Sequence, residues 1–477
     1  MRRVCAGARA RTGYIVTGVS ALALLLLVMS SQSPSHQRGA SHLNDVITWP
    51  FHRLFSQDLI LPARDNVSGN LKYEGEDELS QILTNRLSEF STDTENLTRL
   101  PCKDVKEPDL ECFDSTCNAK FASSPRDRMR QILATRLQIP AHYMHAMTSS
   151  TRNIASHKYA FVTAGSSNHY YEMQGLIQSL HQHVFPHLSN FTFVLYDLGL
   201  TPFERYVTEK NCGCTVLDFP FSEMPSFMRH LTCYAWKPVA VGSLMDKAEY
   251  LVWMDACIRW NTSTTSTSLD TLFQRCRQRG HQCINDSGSI AVRTVQSMTN
   301  FYGDQQCLYS PFGEMLSGFE MFYMDRFTKE VILEPWISCA FDQRCMCVKD
   351  FFWQFHCTGA PPRQYGRCHR FDQSSLGIIY SKILLDNRPI IYLPPTYVRV
   401  AREEKVDWFE PRKSSVVVDT LGVCLAVNLL CVLVIVGLMR CCRGCTLCGL
   451  CELTLGFGVK VVVAELMVSV CFLWAFV

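Results

Sequence analysis

The chain has 477 residues, 47% of them hydrophobic, and carries 46 basic against 44 acidic side chains. That length has room for about two or three domains, and the apolar content is enough for a large core plus membrane segments. The near balance of charge leaves no global field to attract nucleic acid, so a nucleic-acid partner is excluded and any recognition of an anion must be local.

At the N-terminus, Arg2, Arg3, Arg9 and Arg11 precede an uncharged stretch from Tyr14 to Met29 rich in Leu, Val and Ala. Such a window can span a bilayer, and the arginines hold the N-terminus in the cytoplasm. Ser30 and Ser31 would also suit a cleaved signal peptide, but an uncleaved anchor is preferred because the uncharged window continues beyond them. The expected organisation is a cytoplasmic tail over residues 1–13, a signal anchor over 14–30, a luminal stem over 31–157 and a folded luminal body over 158–399. Cysteine usage agrees. Of 24 cysteines in the chain, 15 lie between Cys102 and Cys368, beside glycosylation sequons at Asn66, Asn96, Asn190, Asn261 and Asn285. Both features fit an oxidising secretory compartment, here the Golgi or endoplasmic reticulum membrane, with the plasma membrane as the alternative.

The stem is polar, with two helical patterns: Leu79, Ile82, Leu83, Leu87 and Phe90, then Met129, Ile132, Leu133 and Leu137. So little apolar surface builds no core of its own, and Cys102, Cys112 and Cys117 are candidates to staple it. At Lys158 the pattern changes. Tyr159–Thr163 reads as a strand, Ala164–Asn168 (AGSSN) as a turn of small residues, and Met173, Leu176, Ile177, Leu180 and Val184 as one helical face. A second strand, Phe191–Tyr196, ends on Asp197, and Thr201-Pro202-Phe203-Glu204 has the form of a capping box. A third short strand over Thr215–Phe219, a helix over Trp236–Met245 and a fourth strand over Tyr250–Asp255 follow. Strands alternating with helices predict an α/β, Rossmann-like, mostly parallel sheet with helices on both faces. The AGSSN turn, Asp197 and Asp255 would then share the crevice at the C-terminal strand ends.

Further on, Gly318–Met324 predicts another strand and Arg370–Leu385 a helix, with Asp372 as a candidate N-cap. Residues 416–439 are a second span candidate, uncharged from Thr420 and followed by Arg440 and Arg443. Residues 440–477 hold Cys441, Cys442, Cys445, Cys448 and Cys451, better explained as acylation sites than as a metal cluster, and a hydrophobic tail.

The stretch Tyr250–Trp260 (YLVWMDACIRW) concentrates the chemistry. Four large apolar residues deliver one carboxylate, Asp255, to a strand end, where a binding role and the capping of the next turn fit equally well. The blocks TAGSSNHYYEMQGLIQSL, VLYDLGLT, YAWKP, EYLVWMDACIRW and HRFDQSSLGII occur in that order between Lys158 and Pro395. As a set they resemble an animal family of uncharacterised glycosyltransferase-like membrane proteins, whose body is similar to the nucleotide-diphospho-sugar transferase (GT-A) fold of glycogenin-like enzymes.

The resemblance implies a glycosyltransferase that moves a sugar from a nucleotide-sugar donor to a glycan, glycoprotein or glycolipid acceptor. The alternative is an inactive relative that binds a glycan or a protein. It implies donor contacts from Ala164, Ser166, Asn168, Asp197, Lys237 and Gly318, and catalytic roles for Asp255, Asp372 and Gln373. Mn²⁺ or another divalent cation would help neutralise the departing diphosphate. Enzymes of this fold present Asp-X-Asp, whereas this chain has Asp255-Ala256-Cys257, and a thiol is a poor ligand for such hard cations. Either Asp255 holds the metal with a distant partner such as His369, or Lys237 does the work without metal.

Overall fold

A computed structural model describes residues 73–91, 116–348, 365–366, 368–394 and 396–409. Both candidate membrane spans, the five-cysteine cluster and the hydrophobic tail lie outside these residues. Among the described residues no helix is long and apolar enough to cross a membrane.

Six strands form the central sheet: β1 (His157–Gly165), β2 (Phe191–Asp197), β3 (Thr215–Asp218), β4 (Ala248–Met254), β6 (His281–Ser289) and β7 (Gly313–Tyr323), in the order β3-β2-β1-β4-β7-β6. The first four pair in parallel, as the alternating pattern predicts. β7 then runs antiparallel to β4, and β6 antiparallel to β7, so the sheet is mixed. The strand expected at Gly318–Met324 is the second half of β7. Gly318 therefore lies in mid-strand instead of opening a strand. A small second sheet pairs β5 (Ile258–Trp260) with β8 (Val398–Val400).

Alternate residues of the central strands enter two different cores. Val162, Val194, Leu251 and Trp253 pack on one face, and Phe161, Phe193, Leu195 and Val252 on the other. This burial of both faces is what the unbroken apolar runs require. The covering helices are α1 (Glu76–Ser91), α2 (Pro125–Leu133), α3 (Ala141–Ser149), α4 (Tyr170–His183), α5 (Pro202–Asn211), α6 (Trp236–Gly242), α7 (Ser266–Arg279), α8 (Gln296–Phe301), α9 (Glu334–Phe341), α10 (Gln343–Met346) and α11 (Phe371–Leu384). The Thr201–Glu204 capping box at the start of α5 is formed in both directions.

The two helices expected in the stem, α1 and α2, lie against the body. Leu79, Leu83, Met129, Ile132 and Leu133 are buried in the same apolar cluster as Trp253, Trp336 and Leu376. A segment too poor in apolar surface to form its own core lends its stripe to a neighbouring one. Cys117, expected as a staple within the stem, bonds Cys307 across 190 residues of sequence. Further disulfides are Cys212–Cys214, Cys233–Cys347 and Cys339–Cys345.

Met129→Ala is expected to cost about 2–5 kcal/mol in urea unfolding of the chain, because it opens a cavity in this shared core. A shift below about 0.5 kcal/mol, as at a site with no buried contacts, would show that α2 is not part of the body.

Candidate active site

Lys237 organises the candidate site at the C-terminal end of β4. It occupies the first turn of α6 and is 1% exposed. Its Nζ lies 3.0 Å from Asp255 Oδ1 and 2.9 Å from Asp372 Oδ2. It also donates to the Ser317 carbonyl oxygen at 3.3 Å. The rings of Tyr234 and Trp253 each stand 5.5 Å from the ammonium, which adds cation–π attraction. Burial alone would depress the lysine pKa, yet the two carboxylates outweigh it and hold the pKa above its ordinary value.

Asp255 follows the last residue of β4. Its backbone N–H donates to the Gly318 carbonyl at 2.7 Å, which ties it to β7. Oδ1 accepts from Trp253 Nε1 at 2.9 Å as well as facing Lys237, while Oδ2 has no hydrogen-bond partner among the described residues. A Cβ on Gly318 would sit 3.2 Å from Oδ2, so glycine is what lets the strand pass this close to the carboxylate. The Asp255 side chain is 33% exposed, against 2% for Lys237 and 4% for Asp372. Asp255 is thus the solvent-facing end of a buried ionic bridge.

Asp372 is not the N-cap of α11. Arg370 fills that position without a side-chain cap, and Asp372 sits inside the first turn. Its Oδ2 accepts from Ser317 Oγ at 2.5 Å in addition to meeting Lys237. Burial raises its pKa, opposed by Lys237 and Ser317. The neighbouring Gln373 is buried, with Nε2 left without a partner.

Two residues with left-handed backbones flank the bridge: Tyr234 (φ 53°) three positions before Lys237, and Phe371 (φ 46°) just before Asp372. Their rings are 6.0 Å apart. Strained non-glycine backbones of this kind persist where the surroundings hold them and cluster at functional sites. The Cys233–Cys347 disulfide fixes the chain next to Tyr234.

The parallel register sets the ends of β1, β2 and β4 at one edge of the sheet, but the other expected site residues make no hydrogen bond or ion pair with the bridge among the described residues. Ala164 is buried in the apolar cluster that also holds Trp236, whereas Ser166 is half-buried and Asn168 exposed on the turn after β1. Asp197 holds the turn after β2: Oδ1 accepts from Gly199 N at 2.8 Å and Leu200 N at 2.7 Å, and Oδ2 pairs with Arg205 at 3.0 Å. His369 is 1% exposed and packs on the Phe371 ring, and burial pushes its pKa down to about 3. No hydrogen bond or ion pair links it to Asp255 among the described residues. Burial, followed by the charge of Asp255, pushes the Cys257 thiol up to about 11, which leaves it protonated and unable to bind a hard cation.

Sequence reasoning did not find Ser317, the Trp253 indole or Tyr234. Ser317 adjoins the singled-out Gly318, but no pattern in the sequence carries a φ angle or the direction of an indole N–H.

A family model described as a protein of unknown function, DUF1647, matches residues 119–242, a span that holds Lys237 but neither Asp255 nor Asp372. No curated protein matches the sequence. Among solved structures, the chain is similar to the mannosyltransferase Ktr4p from S. cerevisiae, at 10% identity and TM-score 0.28, over 56% of this chain and 77% of that one. It is similar to mouse xyloside xylosyltransferase 1 at 13% identity and TM-score 0.29, over 50% and 84%. With the galactosyltransferase LgtC the values are 14%, 0.31, 51% and 87%. The chain covers 21% of the length of S. aureus TarS and 55% of its residues 1–349.

Lys237→Met is expected to leave the acid pair unneutralised. Asp372 already has a raised folded pKa, so it binds its proton more tightly in the folded chain, and its contribution to stability falls as pH rises beyond about 4. Without Lys237 that pKa rises further. The deficit of Lys237→Met should therefore grow from near zero at about pH 4 to about 3–5 kcal/mol at about pH 8, read by urea unfolding at each pH. A pH-independent deficit would contradict the bridge.

Proposed function

We propose that the chain is a membrane-anchored luminal glycosyltransferase that moves a sugar from a nucleotide-sugar donor to a glycan, glycoprotein or glycolipid acceptor in the Golgi or endoplasmic reticulum. The observation that supports this reading best is the Asp255–Lys237–Asp372 bridge, set at the C-terminal end of the parallel strands, where ligands of such sheets bind. The resemblance noted in the sequence points the same way.

Transfer of a glycosyl group leaves a diphosphate whose charge must be met as it develops. With Lys237 cationic and both carboxylates ionised, the bridge carries a net charge of minus one, exposed at Asp255. One carboxylate with a free oxygen fits a hard cation of the Mg²⁺ or Mn²⁺ type, which is commonly held by one or two carboxylates together with substrate phosphates and water. Asp255 would hold that cation in the presence of donor, and the cation would supply Lewis-acid stabilisation of the diphosphate. Asp372 acts as a positioning residue that holds Lys237 and Ser317. The unpaired Nε2 of Gln373 is a donor for a hydroxyl or phosphate oxygen of the ligand.

The second reading, an inactive glycan- or protein-binding relative, draws on Cys257 in place of a second carboxylate and on the Asn261 sequon nearby. Asn261 Nδ2 donates one hydrogen bond to the Thr396 carbonyl at 2.6 Å.

Calorimetry of the purified chain with UDP and GDP, with and without Mn²⁺, separates the readings. Binding of one nucleoside diphosphate is expected, strengthened by Mn²⁺, with no binding of Mn²⁺ alone. Asp255→Asn is expected to abolish the Mn²⁺-dependent gain and to lower donor turnover about 100-fold. No nucleotide binding and no turnover of any nucleotide sugar would overturn the enzyme reading.

A further inference from the structure

Within the sheet, β6 and β7 bring three metal-ligating side chains together. Cys283 and Glu320 are direct register partners across the two antiparallel strands, and His281 lies two residues before Cys283 on the same face. His281 is 1% exposed and the other two are 0% exposed, and one donor atom from each lies within 4.8 Å of the others. His281 Nε2 approaches Glu320 Oε2 to 2.5 Å. The His281 ring is held flat between Phe322, at 4.5 Å and 13°, and Tyr380, at 4.7 Å and 10°. His281 Nδ1 and Glu320 Oε1 have no hydrogen-bond partner, and the Cys283 thiol is free. Each unpaired polar group in a dry core costs about 1–3 kcal/mol, so three side chains meeting in this way need a reason.

From this geometry we infer a buried zinc site formed by His281, Cys283 and Glu320. One imidazole nitrogen, one thiolate sulfur and one carboxylate oxygen give three protein ligands, the number Zn²⁺ takes when water or another small ligand fills its fourth position. Thiolate and imidazole together select Zn²⁺ over the hard cations that suit Asp255. The charges also close. As Zn²⁺ enters, the thiol proton and the proton shared by His281 and Glu320 leave, so two positive charges replace two and the core stays uncharged. The Arg86 guanidinium, whose charge acts on His281, is itself paired with Asp325 at 2.6 Å. Glu320 stands two residues beyond Gly318, so the ion would pin the part of β7 that passes closest to Asp255.

The test is the metal content of the full chain, purified in detergent from zinc-replete cells and dialysed against EDTA. Cys441, Cys442, Cys445, Cys448 and Cys451 are replaced by Ser, so that the C-terminal cysteines contribute no metal. About one zinc per chain is expected by mass spectrometry, falling about tenfold in Glu320→Gln, which keeps the volume and a hydrogen bond to His281. Should Glu320→Gln fail to fold, cobalt reconstitution of the parent chain takes its place. A thiolate-to-cobalt charge-transfer band lost in Cys283→Ser supports the site, and its absence in the parent overturns it. A parent chain without zinc, or a folded Glu320→Gln with a full complement, overturns it equally.

Discussion

The candidate site depends on one ammonium group placed where water does not reach it. Removing an ion from water costs several kcal/mol even after the protein relaxes, and attraction to a partner offsets this only with close geometry and further hydrogen bonds. Lys237 has both: two carboxylates at 3.0 and 2.9 Å, a carbonyl at 3.3 Å and two aromatic faces. Those partners come from β4, β7, α11 and the turn before α6. Loosening either carboxylate weakens the compensation of the buried ammonium, so the bridge couples the placement of elements far apart in sequence.

Strain and cross-links sit beside this constraint. Tyr234 and Phe371 adopt backbones that cost of order 1–3 kcal/mol each, and they precede Lys237 and Asp372 respectively. The Cys233–Cys347 bond and the Cys339–Cys345 bond between α9 and α10 restrain neighbouring chain. Trp336 donates from Nε1 to the Asp372 carbonyl at 3.1 Å, which anchors the first turn of α11 from beneath. The strained residues thus lie among elements otherwise fixed by covalent bonds and buried hydrogen bonds, which is the condition under which such strain survives folding.

Much of the parallel half of the fold was legible in the sequence, because strands buried on both faces must be continuously apolar and capping boxes are local. β1, β2 and β4 and the start of α5 follow from those rules. β6 did not, since HQCINDSGS is polar and its pairing with β7 is interrupted by register shifts. The antiparallel direction of β7 depends on where the chain returns, which periodicity does not encode. Asp372 was singled out, but the reading of it as a helix cap failed: a cap is a local inference, whereas its partners Lys237 and Ser317 lie 135 and 55 residues away. Lys237 was singled out as a donor contact, and its burial is visible only once α6 is set against β4.

The missing second carboxylate then takes on a different meaning. An Asp-X-Asp pair places two negative charges on one short segment and leaves the cation to come from solution. Here the second carboxylate near Asp255 is Asp372, brought in from α11, and the cation between them is covalently part of the chain. Cys257, protonated and half-buried, is accordingly free of any charge-balancing duty, and its backbone carbonyl instead accepts from Ala401 N at 2.7 Å, beside the β5–β8 pairing. A site that carries its own counter-charge holds its shape without ligand. Substituting Cys257 with a carboxylate would add a negative charge next to Asp255 that Lys237, already shared between two acids, has no geometry left to meet.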